Sequence, residues 1–266
     1  MKLEYWRGDS ATFGLRTAPV LEFLFSIFNH PTKIMTKLIE HVELVTGPEP
    51  IGTVIWMHGL GADCWDFVPI VKGLALPSSV PLRFIFPQAP SRPISINNGN
   101  VMPGWYDISM ADLQDGPARK ADEAGVRESQ AFINGLIARE ATRGIAANKI
   151  IIAGFSQGGA IAFQTALRHP QELAGIMALS TYLALDDSLA AEKSAANARI
   201  PIFMAHGTAD PVVQIGLARK SRSKLEAEGY QVEWREYPMQ HNVVMEEIEE
   251  IGAWLVKRYQ SPIILA

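Results

Sequence analysis

The sequence predicts one α/β domain built on a mostly parallel sheet with helices on both faces. Three observations predict it. Short apolar runs are unbroken rather than alternating, helix-length stretches separate them, and no repeat, low-complexity tract or Ser/Gly-rich linker divides the chain. Strands buried on both faces read as continuous apolar runs. Alternation with helices of this length implies parallel crossover units. At 266 residues the chain can bury a large core without disulfides or metals as staples.

Residues 1–41 carry no regular pattern and read as an N-terminal extension of unknown role, with Met35 a candidate start. Within it, Val20 to Phe28 is apolar but interrupted by Glu22. It is too short to span a bilayer, which needs roughly 20 apolar residues. Asn29-His30-Pro31 after it is not a small-residue cleavage site, so a cytoplasmic protein is expected, although secretion is not excluded. If exposed, this stretch offers a surface for a homodimer or for resting on a membrane.

The domain is expected to run from Val42 to the C-terminus at residue 266. Val54-Ile55-Trp56-Met57 is a buried strand, followed by the turn His58-Gly59-Leu60-Gly61. Arg83 to Phe86 is a second strand, stopped by Pro87. Residues 88–117 are rich in proline, glycine and asparagine and read as a long irregular loop, a kind that is usually functional or disordered. Ala118 to Glu140 reads as a helix. Lys149 to Ala153 is the strongest strand, and Gly158 to Arg168 a small-residue helix ended before Pro170. Strands at 174–179, 200–205 and 231–237 and helices at 215–228 and 243–258 complete the pattern.

Composition narrows the function. Lys plus Arg number 24 against 28 Asp plus Glu, a net charge of -4 that gives no reason to expect nucleic acid. The lone Cys64 excludes intrachain disulfides and any cysteine-cluster metal site, and suits a reducing compartment.

The chemistry is carried by Gly154-Phe155-Ser156-Gln157-Gly158, a G-x-S-x-G string between the best strand and a helix. The string alone is only moderately specific. Its setting is that of a nucleophile elbow, a sharp turn that presents a serine above a sheet edge. A serine needs a base, and the base needs an acid to orient it. Of the histidines after Ser156, His241 lies in a loop at the C-terminal edge of the sheet, where ligands bind in open α/β folds. His169 reads as a helix-end residue, and His206, the alternative base, reads more readily as a support for the loop after its strand. Asp210, on that loop stiffened by Pro211, fits the order serine, acid, histidine; its competitors Asp186 and Asp187 start a polar stretch that reads as a solvated segment. Two oxyanion donors are expected, the backbone N–H groups of Gln157 and Leu60. His58 reads as a structural histidine.

As a set, His58 to Asp63, Pro87-Gln88-Ala89-Pro90, Trp105-Tyr106-Asp107, Gly154 to Gly159, His206 to Val213 and His241 resemble the phospholipase/carboxylesterase family of α/β-hydrolases. That family includes bacterial carboxylesterases and acyl-protein thioesterases. The resemblance implies the α/β-hydrolase fold and the same roles for Ser156, Asp210, His241, Leu60 and Gln157. It further implies an apolar acyl site lined by Trp105 and Val213 and bordered by the loop from Met102. No cofactor or metal is implied. Two positions depart from the pattern. Gln240 stands where glycine usually precedes the histidine, and Gln214 where proline often follows the paired valines.

The expected activity is hydrolysis of short- to medium-chain carboxylic esters through an acyl-enzyme on Ser156. A lysophospholipase or acyl-protein thioesterase is the alternative within this chemistry, and a non-catalytic binding protein on the same fold the alternative outside it.

Overall fold

The computed structural model describes residues 38–113 and 121–260. The apolar stretch from Val20 to Phe28, Met35, most of the N-terminal extension and the start of the helix expected from Ala118 lie outside them.

The sheet has seven strands in the order β1-β3-β2-β6-β7-β8-β9. They are β1 (His41–Val45), β2 (Gly52–Met57), β3 (Leu82–Pro87), β6 (Ile150–Phe155), β7 (Gly175–Leu179), β8 (Ile202–Gly207) and β9 (Val232–Tyr237). Only β1 runs antiparallel, against β3. Alternate residues of the central strands feed two cores. Ile55, Met57, Ile152 and Met204 face one side with α1 (Glu123–Thr142) and α2 (Gln157–Arg168). Val54, Trp56, Ile151 and Phe203 face the other with α5 (Met245–Gln260). This two-sided burial is why the strands read as unbroken apolar runs. The long helix α4 (Ile215–Ala227) and the single turn α3 (Leu189–Glu192) complete the helices.

Two expectations need correction. Residues 88–113 are not one irregular loop, because β4 (Ser91–Ile94) and β5 (Asn100–Pro103) form a two-stranded antiparallel hairpin. The helix expected from Ala118 begins at Glu123, where the Asp122 side chain accepts the N–H of Gly125 at 3.0 Å. A side-chain acceptor there satisfies one of the free N–H groups of the first turn, so the helix starts at its cap.

The junction of β6 and α2 positions the site. Ser156 sits at φ 53° and ψ -120°, a strained conformation for a residue with a Cβ. Its N–H donates to the Leu179 carbonyl at 2.8 Å, and its carbonyl accepts the Thr181 hydroxyl at 2.6 Å. The two glycines around it are required by close approach. A Cβ on Gly154 would lie 2.2 Å from the Gly158 backbone, and one on Gly158 would lie 2.6 Å from the carbonyls of Met57 and His58.

Candidate active site

Three loops at the C-terminal edge of the sheet bring together side chains 85 and 31 residues apart in sequence. The turn after β6 carries Ser156, the loop after β8 carries Asp210, and the loop after β9 carries His241. The last two loops are tied by backbone bonds, Thr208 N–H to Tyr237 at 2.9 Å and Ala209 N–H to Met239 at 3.1 Å. The Phe155 ring packs against the His241 ring with centroids 4.8 Å apart.

His241 Nδ1 lies 2.7 Å from Asp210 Oδ2, and its Nε2 lies 2.9 Å from Ser156 Oγ. An ionised carboxylate only accepts, so Nδ1 carries the proton and the Nε2 lone pair faces the hydroxyl. Asp210 Oδ1 accepts the N–H groups of Val212 and Val213 at 2.8 and 2.9 Å. Burial raises the pKa of Asp210, but the hydrogen bond and charge of His241 and the two backbone donors outweigh it and hold the carboxyl below its ordinary range. The arrangement can pass a proton from hydroxyl to imidazole while the carboxylate steadies the resulting cation.

Gln240 is exposed, and the backbone there still delivers His241 within bonding distance of both partners. The buried His206 donates from Nε2 to the Val213 carbonyl at 2.7 Å and comes within 3.4 Å of Asp210 Oδ2. It therefore steadies the loop bearing Asp210. His169 binds the backbone of Gln171 at the end of α2. Cys64 is buried, and burial followed by the nearby Asp63 charge pushes its thiol up.

Beside Ser156 opens a cavity of about 370 Å³. Leu60, Gln157 and Val213 line it. Gln157 is the first residue of α2, so its N–H has no partner one turn back within the helix and sits at the positive end of the helix dipole. Ile96, Ile108, Leu113, Phe155 and Tyr182 add apolar wall. None of these five was singled out from sequence. Three of them fall in the proline-rich segment, whose length was the available signal.

Trp105 and Met102 do not line this cavity. Trp105 is fully buried, with its indole N–H committed to the His58 carbonyl at 2.9 Å. Met102 is partly buried against the core, its sulfur 3.2 Å from the side-chain nitrogen of Asn97, which does line the cavity. Among the described residues no group of three metal-ligating side chains occurs, and no helix is long and apolar enough to cross a membrane.

A model of the phospholipase/carboxylesterase family matches residues 41–258. The acyl-protein thioesterase 1 of Neurospora crassa is 43% identical over 211 residues, 77% of this chain and 86% of that protein. A probable carboxylesterase of rice is 32% identical over 203 residues, 76% of each chain. The crystal structure of Zea mays acyl-protein thioesterase 2 superposes with a TM-score of 0.71 at 28% identity, covering 82% of this chain and 99% of that one.

Proposed function

The chain belongs to the phospholipase/carboxylesterase family and is an ester-hydrolysing enzyme of the α/β-hydrolase fold; from that premise we propose that it cleaves acyl thioesters of protein cysteines, and carboxylic esters, through an acyl-enzyme on Ser156. The observation that carries this reading is the Ser156–His241–Asp210 chain beside an apolar cavity.

His241 takes the proton of Ser156 as Oγ attacks the acyl carbonyl carbon. Asp210 holds the imidazole in the tautomer that can accept it and stabilises the imidazolium. The N–H groups of Leu60 and Gln157 bind the oxyanion, each worth on the order of 3 kcal/mol in such sites. The tetrahedral intermediate collapses, and the thiol or alcohol leaves with the proton from His241. Water then attacks the acyl-enzyme with His241 again as base, releasing the acid and restoring the serine. The acyl chain occupies the cavity walled by Ile96, Ile108 and Val213. The lone, buried Cys64 fits a cytoplasmic setting.

The relatives named acyl-protein thioesterase move the weight of the reading away from short-chain esters and towards S-acylated proteins. A specific observation keeps the second reading in view. The cavity, about 370 Å³, lies near the lower end of the usual range for ligand sites and suits a short or medium acyl group. Rates on p-nitrophenyl esters from two to sixteen carbons, together with an S-palmitoyl cysteinyl peptide, test the choice. A maximum at long chains with turnover of the peptide supports the thioesterase. A maximum at two to eight carbons with an inert peptide establishes the simple esterase.

A further inference from the structure

We propose that Trp105 and His58 are positioning residues for the oxyanion site, pinning successive peptide planes so that the Leu60 N–H points at Ser156. The proposal deepens the reading above and rests on its roles for Ser156 and Leu60.

A peptide group is planar and trans, so its C=O and N–H point in opposite directions. Fixing one end of a plane therefore fixes the other. The Leu60 N–H belongs to the plane that begins with the Gly59 carbonyl. That carbonyl lies 2.7 Å from His58 Nδ1. His58 Nε2 accepts the Ala89 N–H at 3.1 Å, so the ring proton resides on Nδ1 and is donated to Gly59. Burial lowers the pKa of His58, against the Gly59 bond and the charges of Asp66 and Asp63, and so favours this neutral form.

The planes on either side are held as well. The plane before is gripped by the Trp105 indole, which donates to the His58 carbonyl at 2.9 Å. The plane after is gripped by the Gly61 N–H, which donates to the Pro103 carbonyl at 2.8 Å. Three consecutive planes are thus tied outward, the middle one by His58 and also by the Ala62 N–H, which donates to the Gly59 carbonyl at 3.3 Å, and the other end of that middle plane is the Leu60 N–H. The segment runs against the nucleophile, since a Cβ on Gly59 would be 3.5 Å from Ser156 Cβ.

Trp105 is itself anchored. Its N–H donates to Gln157 Oε1 at 2.7 Å, its carbonyl accepts the Ser129 hydroxyl, and its ring packs on His58 with centroids 5.3 Å apart. Gln157 Nε2 also donates to the Tyr106 carbonyl at 2.7 Å. The residue whose backbone supplies one oxyanion donor therefore grips, through its side chain, the segment that aims the other. Both donors are built on one frame. Trp105 acts here through the loop rather than by touching the acyl chain.

Trp105→Phe keeps a ring and removes the indole N–H. His58→Asn keeps a donor near the Nδ1 position, and His58→Leu removes it. Small misplacements of reacting groups cost up to about 100-fold in rate. The expected loss in kcat is about 10-fold for Trp105→Phe and about 100-fold for His58→Leu, with His58→Asn recovering about 10-fold, at KM within about twofold. An alkyl trifluoromethyl ketone forms a tetrahedral adduct on the serine, and its affinity should weaken by the same factors. A purely structural role would lower the melting temperature without this proportionality. If His58→Leu does not fold, Trp105→Phe and His58→Asn carry the test. Folded variants whose kcat and ketone affinity both stay within about twofold of wild type overturn the proposal, as does a kcat loss with unchanged ketone affinity. Ser156→Ala separates the underlying reading: wild-type turnover in that variant refutes the nucleophile itself, whatever the positioning variants do.

Discussion

Replacing Asp210 by asparagine isolates the acid's role with almost no change in shape. Oδ1 accepts two backbone N–H groups and Oδ2 accepts the His241 Nδ1 proton at 2.7 Å. An amide oxygen can take the place of only one of these two carboxylate oxygens. Turning its NH₂ towards Val212 and Val213 would set donor against two donors, at about 1–3 kcal/mol for each buried group left unpaired. The NH₂ therefore faces His241, which must then carry its proton on Nε2, towards Ser156. In that tautomer the imidazole cannot act as base. The expected loss is about 10³- to 10⁴-fold in kcat, or about 4–5.5 kcal/mol of barrier, with little change in KM. Steady-state kinetics on p-nitrophenyl butyrate measure it, with a melting curve to confirm folding. Asp186→Asn, the rival acid of the sequence reading, should stay within about twofold of wild type. The reasoning fails if Asp210→Asn keeps more than about a tenth of wild-type kcat, or if Asp186→Asn is the crippled variant.

Gly154→Ala places a methyl 2.2 Å from the Gly158 backbone, so β6 and α2 must separate. It should cost more than about 3 kcal/mol in urea unfolding and lower kcat with it. Glu247, buried in the first turn of α5, has its pKa pushed by burial up to about 8. Below pH ~4.5 both folded and unfolded chains hold this proton. As pH rises towards 8 the unfolded chain ionises first and stability falls. Glu247→Gln should therefore stabilise little at pH 5 and by several kcal/mol, on the order of 4, above pH 8, as read from urea midpoints across that range. The Cys64 thiol, buried and raised in pKa, should react with iodoacetamide only after unfolding. Native alkylation followed by mass spectrometry checks it.

The central strands were legible because burial on both faces leaves an unbroken apolar run, and β6, Ile150–Phe155, is the plainest case. The edge strand β1, His-Val-Glu-Leu-Val, alternates and is short, so nothing marked it before the pairing with β3 was seen. The hairpin β4–β5 hid among prolines that usually signal loops. Ser156, Asp210 and His241 were legible because chain order and loop position both constrain them. Trp105 does not line the cavity because it is buried and bonded to residues 47 and 52 positions away, His58 and Gln157. Residue type and local spacing carry no record of such contacts. The cavity wall likewise comes from scattered positions such as Ile96 and Tyr182, which only the folded chain brings together.

The central claim is that Ser156 becomes acylated. Intact-mass spectrometry after treatment with a fluorophosphonate, followed by peptide mapping, tests it most directly. One adduct per chain on Ser156, lost in Ser156→Ala and slowed in Asp210→Asn, is the predicted result. A folded, hydrolytically active protein with no adduct, or with the adduct on another side chain, would contradict it.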